Sequence, residues 1–306
     1  MTSNLQCLNK SKRLLSINDC TIEDLSNIFS IAESGNFKLN TEGLFISVFF
    51  ENSTRTLLSF EKSALNCGLT SMRFDVSSSS IAKEETEINT IRTLNELSAK
   101  AIVLRCKKSG EPSIYANYIS ENTAIINAGD GTNEHPTQSL LDTFTILQET
   151  GNKFSQNCFK GLKIAIMGDV SHSRVARSNI FLLSKLGAEV TLIFPPNFLS
   201  QNFIDFYTQN YNIKVTNSYQ ETFDFVMLLR VQKERIEGSG KICYPSKFGI
   251  FTEAELKGAK LMHPGPLNIG VETSEELAYS SKNSLISKQV SNGVLIRSAI
   301  LKYLVG

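Results

Sequence analysis

The chain has 306 residues, enough for two domains of ordinary size, each able to bury its own core. With 31 lysines and arginines against 30 acids the net charge is +1, a field that favours neither nucleic acid nor a membrane surface, so any anion site must be assembled from a few convergent cations. Six scattered cysteines without a CxxC pair, no secretory h-region, and no apolar run near the roughly 18 residues of a spanning helix lead us to expect free thiols and a cytoplasmic protein.

Residues 1–40 read as a polar start followed by a helix over IEDLSNIFSIAES, with Thr21 as its N-cap and Gly35 as its stop. Residues 45–50 are short, β-branched and aromatic, as a buried strand should be; Leu57, Leu58, Phe60, Ala64 and Leu65 then recur at helical spacing. The junction carries Asn52, Ser53, Thr54, Arg55 and Thr56. Serine and asparagine suit an N-cap, and the free N–H groups of a first helical turn bind phosphate. A cation in that turn opposes the helix dipole by up to about 1 kcal/mol, so Arg55 points to an anion rather than to an ordinary capped helix with a solvated arginine.

A second strand over residues 71–76 runs into SSSSIAKEET, which by its composition is a solvated loop leading to a helix over 85–98. Residues 101–104 form a strand ending at Arg105, and residues 123–127 another ending at AGDGTNEHPTQ. Strands alternating with helices argue for a mainly parallel sheet, whose ligands sit beyond the carboxyl ends of the strands. Ser53 to Thr56, Arg105 and His135 all fall just past such an end. Pro136 holds His135 out of the α region and starts the helix TQSLLDTFTILQET.

The polar stretch 150–160 marks a domain boundary, expected to be partly helical, which divides the chain into 1–150 and 151–286. KIAIMGD and EVTLIFPP are strands on either side of the helix in VSHSRVARSNIFLLSKLG, and the unit opens like a dinucleotide site. Only Gly168 of the GxGxxG pattern is present, and no acid ends the second strand, so no nicotinamide or flavin cofactor is expected. Arg174 instead repeats the situation of Arg55. A strand over 225–229 delivers RVQKER, where a guanidinium could grip a carboxylate, and a strand over 260–262 precedes the turn HPGPLNIGVE. Residues 287–306 make an amphipathic C-terminal helix. The three histidines lack ligand spacing, so no metal site is expected, and no GxSxG elbow is present.

In this order and at these separations, FFENSTRT, GDGTNEHPTQ, RVQKER and HPGPLNIGVE resemble the aspartate/ornithine carbamoyltransferase family over nearly the full length. RVQKER and HPGP resemble its aspartate branch, since ornithine enzymes carry an HCLP motif where His263 is followed here by Pro264. The resemblance implies two α/β lobes, each a mainly parallel sheet flanked by helices, with the C-terminal helix packing back on the first. It implies that Ser53, Thr54, Arg55 and Thr56 hold the phosphate of carbamoyl phosphate, and that Arg105, His135 and Gln138 bind its carbamoyl end. Thr56, Arg105 and His135 would polarise the carbonyl, with Gly265 and Pro266 beside the reacting centre after a cis peptide. Arg174, Arg230 and Gln232 would hold the carboxylates of L-aspartate. Ser79 and Lys83 would reach into a neighbouring subunit's site, against the solvated-loop reading, which implies a homotrimer with shared sites and the possibility of a regulatory chain.

Four positions depart from the family pattern: Leu57 and Ile269 stand where arginine is usual, Glu84 where glycine is usual, and Cys106 where histidine is common. Two cations are lost and one anion gained around a site for anions. A weak or inactive relative serving as a binding or assembly subunit, and a transferase for another amine, therefore stand as alternatives. The retained set of His135, Arg105, Lys83, Arg174, Arg230 and Gln232 favours the enzyme.

Overall fold

The β-branched and aromatic runs pair edge to edge as parallel strands, and the amphipathic segments between them cover the sheets. The computed structural model describes residues 7–76, 85–194, 200–211, 213–230 and 251–306. Its chain divides into two compact units, Met1–Phe144 with Ser291–Gly306, and Thr145–Val290.

The first unit begins with α1 (Leu8–Ser11), β1 (Arg13–Leu14) and α2 (Ile22–Ser34). Thr21 caps α2 reciprocally with Asp24, and Gly35 ends it in the left-handed region at φ 66°, as their sequence positions require. There follow β2 (Leu44–Phe49), α3 (Thr54–Cys67), β3 (Thr70–Phe74), α4 (Glu87–Glu96), β4 (Ala101–Cys106), α5 (Glu111–Ala116), β5 (Ala124–Asp130) and α6 (Pro136–Thr150). Five strands pair in parallel in the order β1-β5-β4-β2-β3. Their core joins Ile46, Val48, Ile102, Leu104 and Ile125 to Ile91 and Leu94 of α4.

The second unit contains β6 (Lys163–Met167), α7 (Arg174–Lys185), β7 (Glu189–Ile193), α8 (Gln201–Asn210), β8 (Ile213–Thr216), β9 (Phe225–Leu228), α9 (Glu253–Leu256), β10 (Lys260–Met262) and α10 (Glu275–Tyr279). Its five strands are also all parallel, in the order β10-β9-β6-β7-β8. The last helix, α11 (Ile286–Val305), packs back on the first unit over most of its length. Ser63 Oγ donates to the Val294 carbonyl at 3.1 Å, and Tyr303 Oη to Asp24 Oδ1 at 2.8 Å. No helix among the described residues is long and apolar enough to cross a membrane.

Three local expectations are corrected. The buried face of α3 is Thr56, Ser59, Phe60, Ser63, Ala64 and Cys67, while Leu58 and Leu65 are exposed. The stretch after Thr150 is built from turns, with no helix before β6. The helix placed over 85–98 is α4, which starts after its N-cap Thr86 and is followed by Leu97 as C-cap.

Candidate active site

In the first unit the strand order reverses between β2 and β4: β2 leads through α3 to β3 on one side, and β4 leads through α5 to β5 on the other. A crevice opens at the carboxyl ends of strands at such a switch point, and it is where ligands bind in open α/β sheets. Phe49 is in register with Arg105 there, and Phe50 N donates to the Arg105 carbonyl at 2.9 Å. The backbone from β2 thus enters α3 at this edge. Ser53 is the N-cap residue by its extended backbone, φ −161° and ψ 107°, yet its hydroxyl makes no capping bond. The first turn of α3 contains no acid, Thr54 and Arg55 are exposed, and Thr56 is buried. A helix start of this kind, with a cation but no carboxylate in its first turn, suits an anion.

Arg105 owes its direction to a register shift. Between Leu104 and Cys106, β4 advances by two residues while β5 advances from Asn127 to Asp130, so β5 carries an extra residue opposite Arg105. Bulges re-aim side chains next to sites. The buried Arg105 Nη1 donates to the Ala128 carbonyl at 3.0 Å, and Nη2 lies 3.4 Å from Glu51 Oε1.

The loop after β5 is held by two buried carboxylates. Asp130 accepts from Gly110 N at 2.7 Å, Asn127 Nδ2 at 2.8 Å and Asn133 Nδ2 at 3.0 Å; Glu134 accepts from Ile17 N at 2.9 Å. Gly131, at φ 48°, must be glycine, because a Cβ there would stand 2.7 Å from the Ser109 backbone nitrogen. This rigid turn presents His135, which is buried and whose Nδ1 is 3.5 Å from Thr137 Oγ1. Gln138, in the first turn of α6, donates through Nε2 to Asp142 Oδ1 at 2.9 Å. Ser53 to Thr56, His135 and Gln138 therefore follow the carboxyl ends of β2 and β5, and Arg105 is the penultimate residue of β4, which lies between those two strands in the sheet.

The second unit repeats the plan. Its order reverses between β6 and β9, and Leu229 N donates to the Met167 carbonyl at 2.8 Å, so Arg230 leaves β9 beside the end of β6. Arg174 is the first residue of α7, buried, after Ser173 whose hydroxyl accepts from Ala176 N at 3.2 Å. Next to it His172 Nδ1 lies 2.8 Å from Oδ1 of the fully buried Asp169. Beyond β10, the strand beside β9, the buried His263 donates its backbone N–H to Gln289 Oε1 at 2.9 Å. Its Nδ1 accepts from Gly265 N at 2.8 Å, so that nitrogen carries no proton and the neutral ring is protonated on Nε2. The Gly265–Pro266 peptide is cis, and Pro266 is exposed. Ser79, Lys83, Glu84 and Gln232 lie outside the described residues. Among the described residues no cluster of three or more His, Cys, Asp or Glu could hold a metal ion. Glu51, Asp130, Asp142 and Asp169 escaped the sequence reading, since an isolated acid gives no periodic or spacing signal.

Two parallel sheets, each delivering arginines to its own switch point, define a two-domain α/β protein suited to small anionic ligands. Comparison with known proteins makes the class specific. The aspartate/ornithine carbamoyltransferase carbamoyl-P binding domain matches residues 12–148, and the Asp/Orn binding domain of the same family matches residues 160–304. The chain belongs to the aspartate/ornithine carbamoyltransferase family. It is 42% identical over 312 residues to the aspartate carbamoyltransferase catalytic subunit of Caldanaerobacter subterraneus subsp. tengcongensis, covering 96% of this chain and 97% of that one. With the corresponding subunit of Acetivibrio thermocellus it shares 40% over 313 residues, 95% of each chain. Among solved structures, Trypanosoma cruzi aspartate transcarbamoylase in complex with carbamoyl aspartate and phosphate superposes with a TM-score of 0.81 at 27% identity over 99% of both chains. The catalytic subunit of M. jannaschii aspartate transcarbamoylase gives 0.77 at 32% identity over 96% of this chain and 97% of that one.

Proposed function

We propose that this chain is an aspartate carbamoyltransferase: it transfers the carbamoyl group of carbamoyl phosphate to the amine of L-aspartate, giving N-carbamoyl-L-aspartate and phosphate, early in pyrimidine synthesis. The observation that carries the reading is the match of both domains to one enzyme family, with relatives at about 40% identity that bear the name of its aspartate branch. In this reading residues 1–150 with the returning C-terminal helix 287–306 bind carbamoyl phosphate, and residues 151–286 bind aspartate.

Ser53, Thr54, Arg55 and Thr56 hold the phosphate, with the N–H groups and dipole of α3 adding to Arg55. Arg105, His135 and Gln138 bind the carbamoyl end, and Gly265 and Pro266 line the reacting centre. Arg174, Arg230 and Gln232 grip the two carboxylates of aspartate, for which planar guanidinium groups are suited. The neutral amine attacks the carbamoyl carbon, and the carbonyl oxygen becomes an oxyanion stabilised by Thr56, Arg105 and His135. The oxyanion then collapses to the carbonyl as the C–O bond to phosphate breaks, phosphate leaves with the bonding pair, and the amine nitrogen gives its proton to the departing phosphate. The chemistry calls for no cofactor and no covalent intermediate; rate comes from holding two anions in attack geometry and from preorganised donors at the oxyanion.

Kinetics test the division of labour. Arg174→Ala should raise KM for aspartate at least about tenfold with little change in KM for carbamoyl phosphate, and Arg55→Ala should do the reverse, each removing a charged hydrogen-bonding partner. Equal effects on both substrates would contradict it.

The same reading makes the protein a cytoplasmic homotrimer in which Ser79 and Lys83 act in the neighbouring subunit's site. Mixing inactive Lys83→Ala and His135→Ala subunits should restore activity through hybrid sites. No recovery in demonstrably mixed trimers would sink the shared site.

A further inference from the structure

Arg297 lies in the middle of α11, is buried, and has no part in the assignments above. Its Nη1 donates to Ser59 Oγ at 2.6 Å, and Ser59 Oγ donates to the carbonyl of Thr56 at 3.0 Å, so the arginine reaches the first turn of α3 through one hydroxyl. Its guanidinium carbon is 5.2 Å from the centroid of Phe60. Space for it depends on residue 293, since a Cβ at Gly293 would stand 2.8 Å from Arg297 Nη1. Asp142, fully buried on α6, supports the charge and is also the acceptor for Gln138 Nε2 at 2.9 Å.

Burial lowers the guanidinium to about 10, Asp142 opposes that shift, and Arg55 adds to it by repulsion. Burying a cation within reach of another cation is costly, and Asp142 offsets part of that cost. No acid stands in the first turn of α3, and the dipole there is positive as well. An anion bound at that turn would add attraction to Arg297, Arg55 and the helix dipole together.

We propose, resting on the carbamoyltransferase reading, that Arg297 is a positioning residue for the phosphate of carbamoyl phosphate, fixing the first turn of α3 through Ser59. It adds its charge to the field of the cradle without touching the substrate.

Calorimetric titration of the full chain with inorganic phosphate and with carbamoyl phosphate, alongside steady-state kinetics, tests this in wild type, Arg297→Lys, Arg297→Gln and Ser59→Ala. Arg297→Gln should weaken both ligands about tenfold or more, the worth of one charge-assisted contact, and Arg297→Lys by less. Ser59→Ala, which keeps the charge, should weaken them about threefold, as for one ordinary hydrogen bond. KM for aspartate at saturating carbamoyl phosphate should stay within about twofold, because uniform loss of one substrate's binding leaves the other's alone. An arginine that only packs the helix would lower the melting temperature and leave both Kd values of the folded fraction unchanged, which would overturn the proposal. If Arg297→Gln does not fold, unchanged Kd values in both Arg297→Lys and Ser59→Ala overturn it equally. Wild-type protein that binds neither ligand would bring down the carbamoyltransferase reading and the proposal together, whereas wild-type binding with unaffected variants removes the positioning role alone.

Discussion

Arg105 Nη1 donates to the Ala128 carbonyl at 3.0 Å across the point where β5 carries its extra residue against β4. The bond uses one arm of a rigid fork to set the direction of the other, which lies 3.4 Å from Glu51. Lysine has a single flexible ammonium and cannot do both. Arg105→Lys should therefore lower kcat/KM for carbamoyl phosphate about a hundredfold, the usual loss for one oxyanion donor, while the far-ultraviolet circular dichroism is unchanged. Activity within a few-fold of wild type would remove Arg105 from the reacting centre.

His135 is buried in a turn whose backbone is fixed by Asp130 and Glu134. His135→Ala should lower turnover about 10²- to 10³-fold with the fold intact, as for one preorganised donor at a developing oxyanion. A near-wild-type rate in steady-state assays would exclude it from that role.

Asp24 holds the start of the chain and the end of the chain together. Its carboxylate accepts from Leu8 N at 2.9 Å, Thr21 N at 2.8 Å, Thr21 Oγ1 at 2.6 Å and Tyr303 Oη at 2.8 Å, and it is fully buried. Asp24→Ala leaves these donors without an acceptor, so the cost should be about 2–4 kcal/mol, read as a lower midpoint in urea. A loss below about 0.5 kcal/mol, the level of ordinary surface changes, would contradict the network.

Lys260 at 3.0 Å and Lys288 at 3.3 Å hold the Glu149 carboxyl below the usual carboxylate range, against a smaller opposing effect of burial. Because the folded state then binds fewer protons than the unfolded state, the stabilisation is complete above about pH 4.5 and is lost as pH falls through the lowered value. The group is partly exposed, so solvent screening keeps the whole effect under about 1 kcal/mol. Glu149→Gln should flatten the stability–pH curve below pH 4.5 by that amount; an unaltered acid limb would show the ion pairs to be idle.

Much of this architecture was legible because its signals are local. Thr21, Gly35, Pro136 and the strand runs of both sheets carry their own punctuation, and each element formed where its punctuation stood. The strand of residues 13–14 did not, since two residues show no period. The face of α3 was misread for a different reason. Its leucines 58 and 65 suggested the core side, but burial is decided by α11, which arrives from more than two hundred residues away and bonds Ser59, Ser63 and Asn66. The same distance in sequence hid Arg297. At the site, the residues that follow strand ends were readable as a constellation, whereas the acids that hold them needed coordinates, because nothing in a lone aspartate says which backbone it will meet.

The central claim is tested most directly by identifying the product. Purified protein is given carbamoyl phosphate with aspartate and, in parallel, with ornithine, without added metal or nucleotide, and the products are separated by chromatography and weighed by mass spectrometry. N-carbamoyl-aspartate from the first mixture and no citrulline from the second is the expected result. Citrulline, or no product with either amine from folded protein that still binds carbamoyl phosphate, would contradict it.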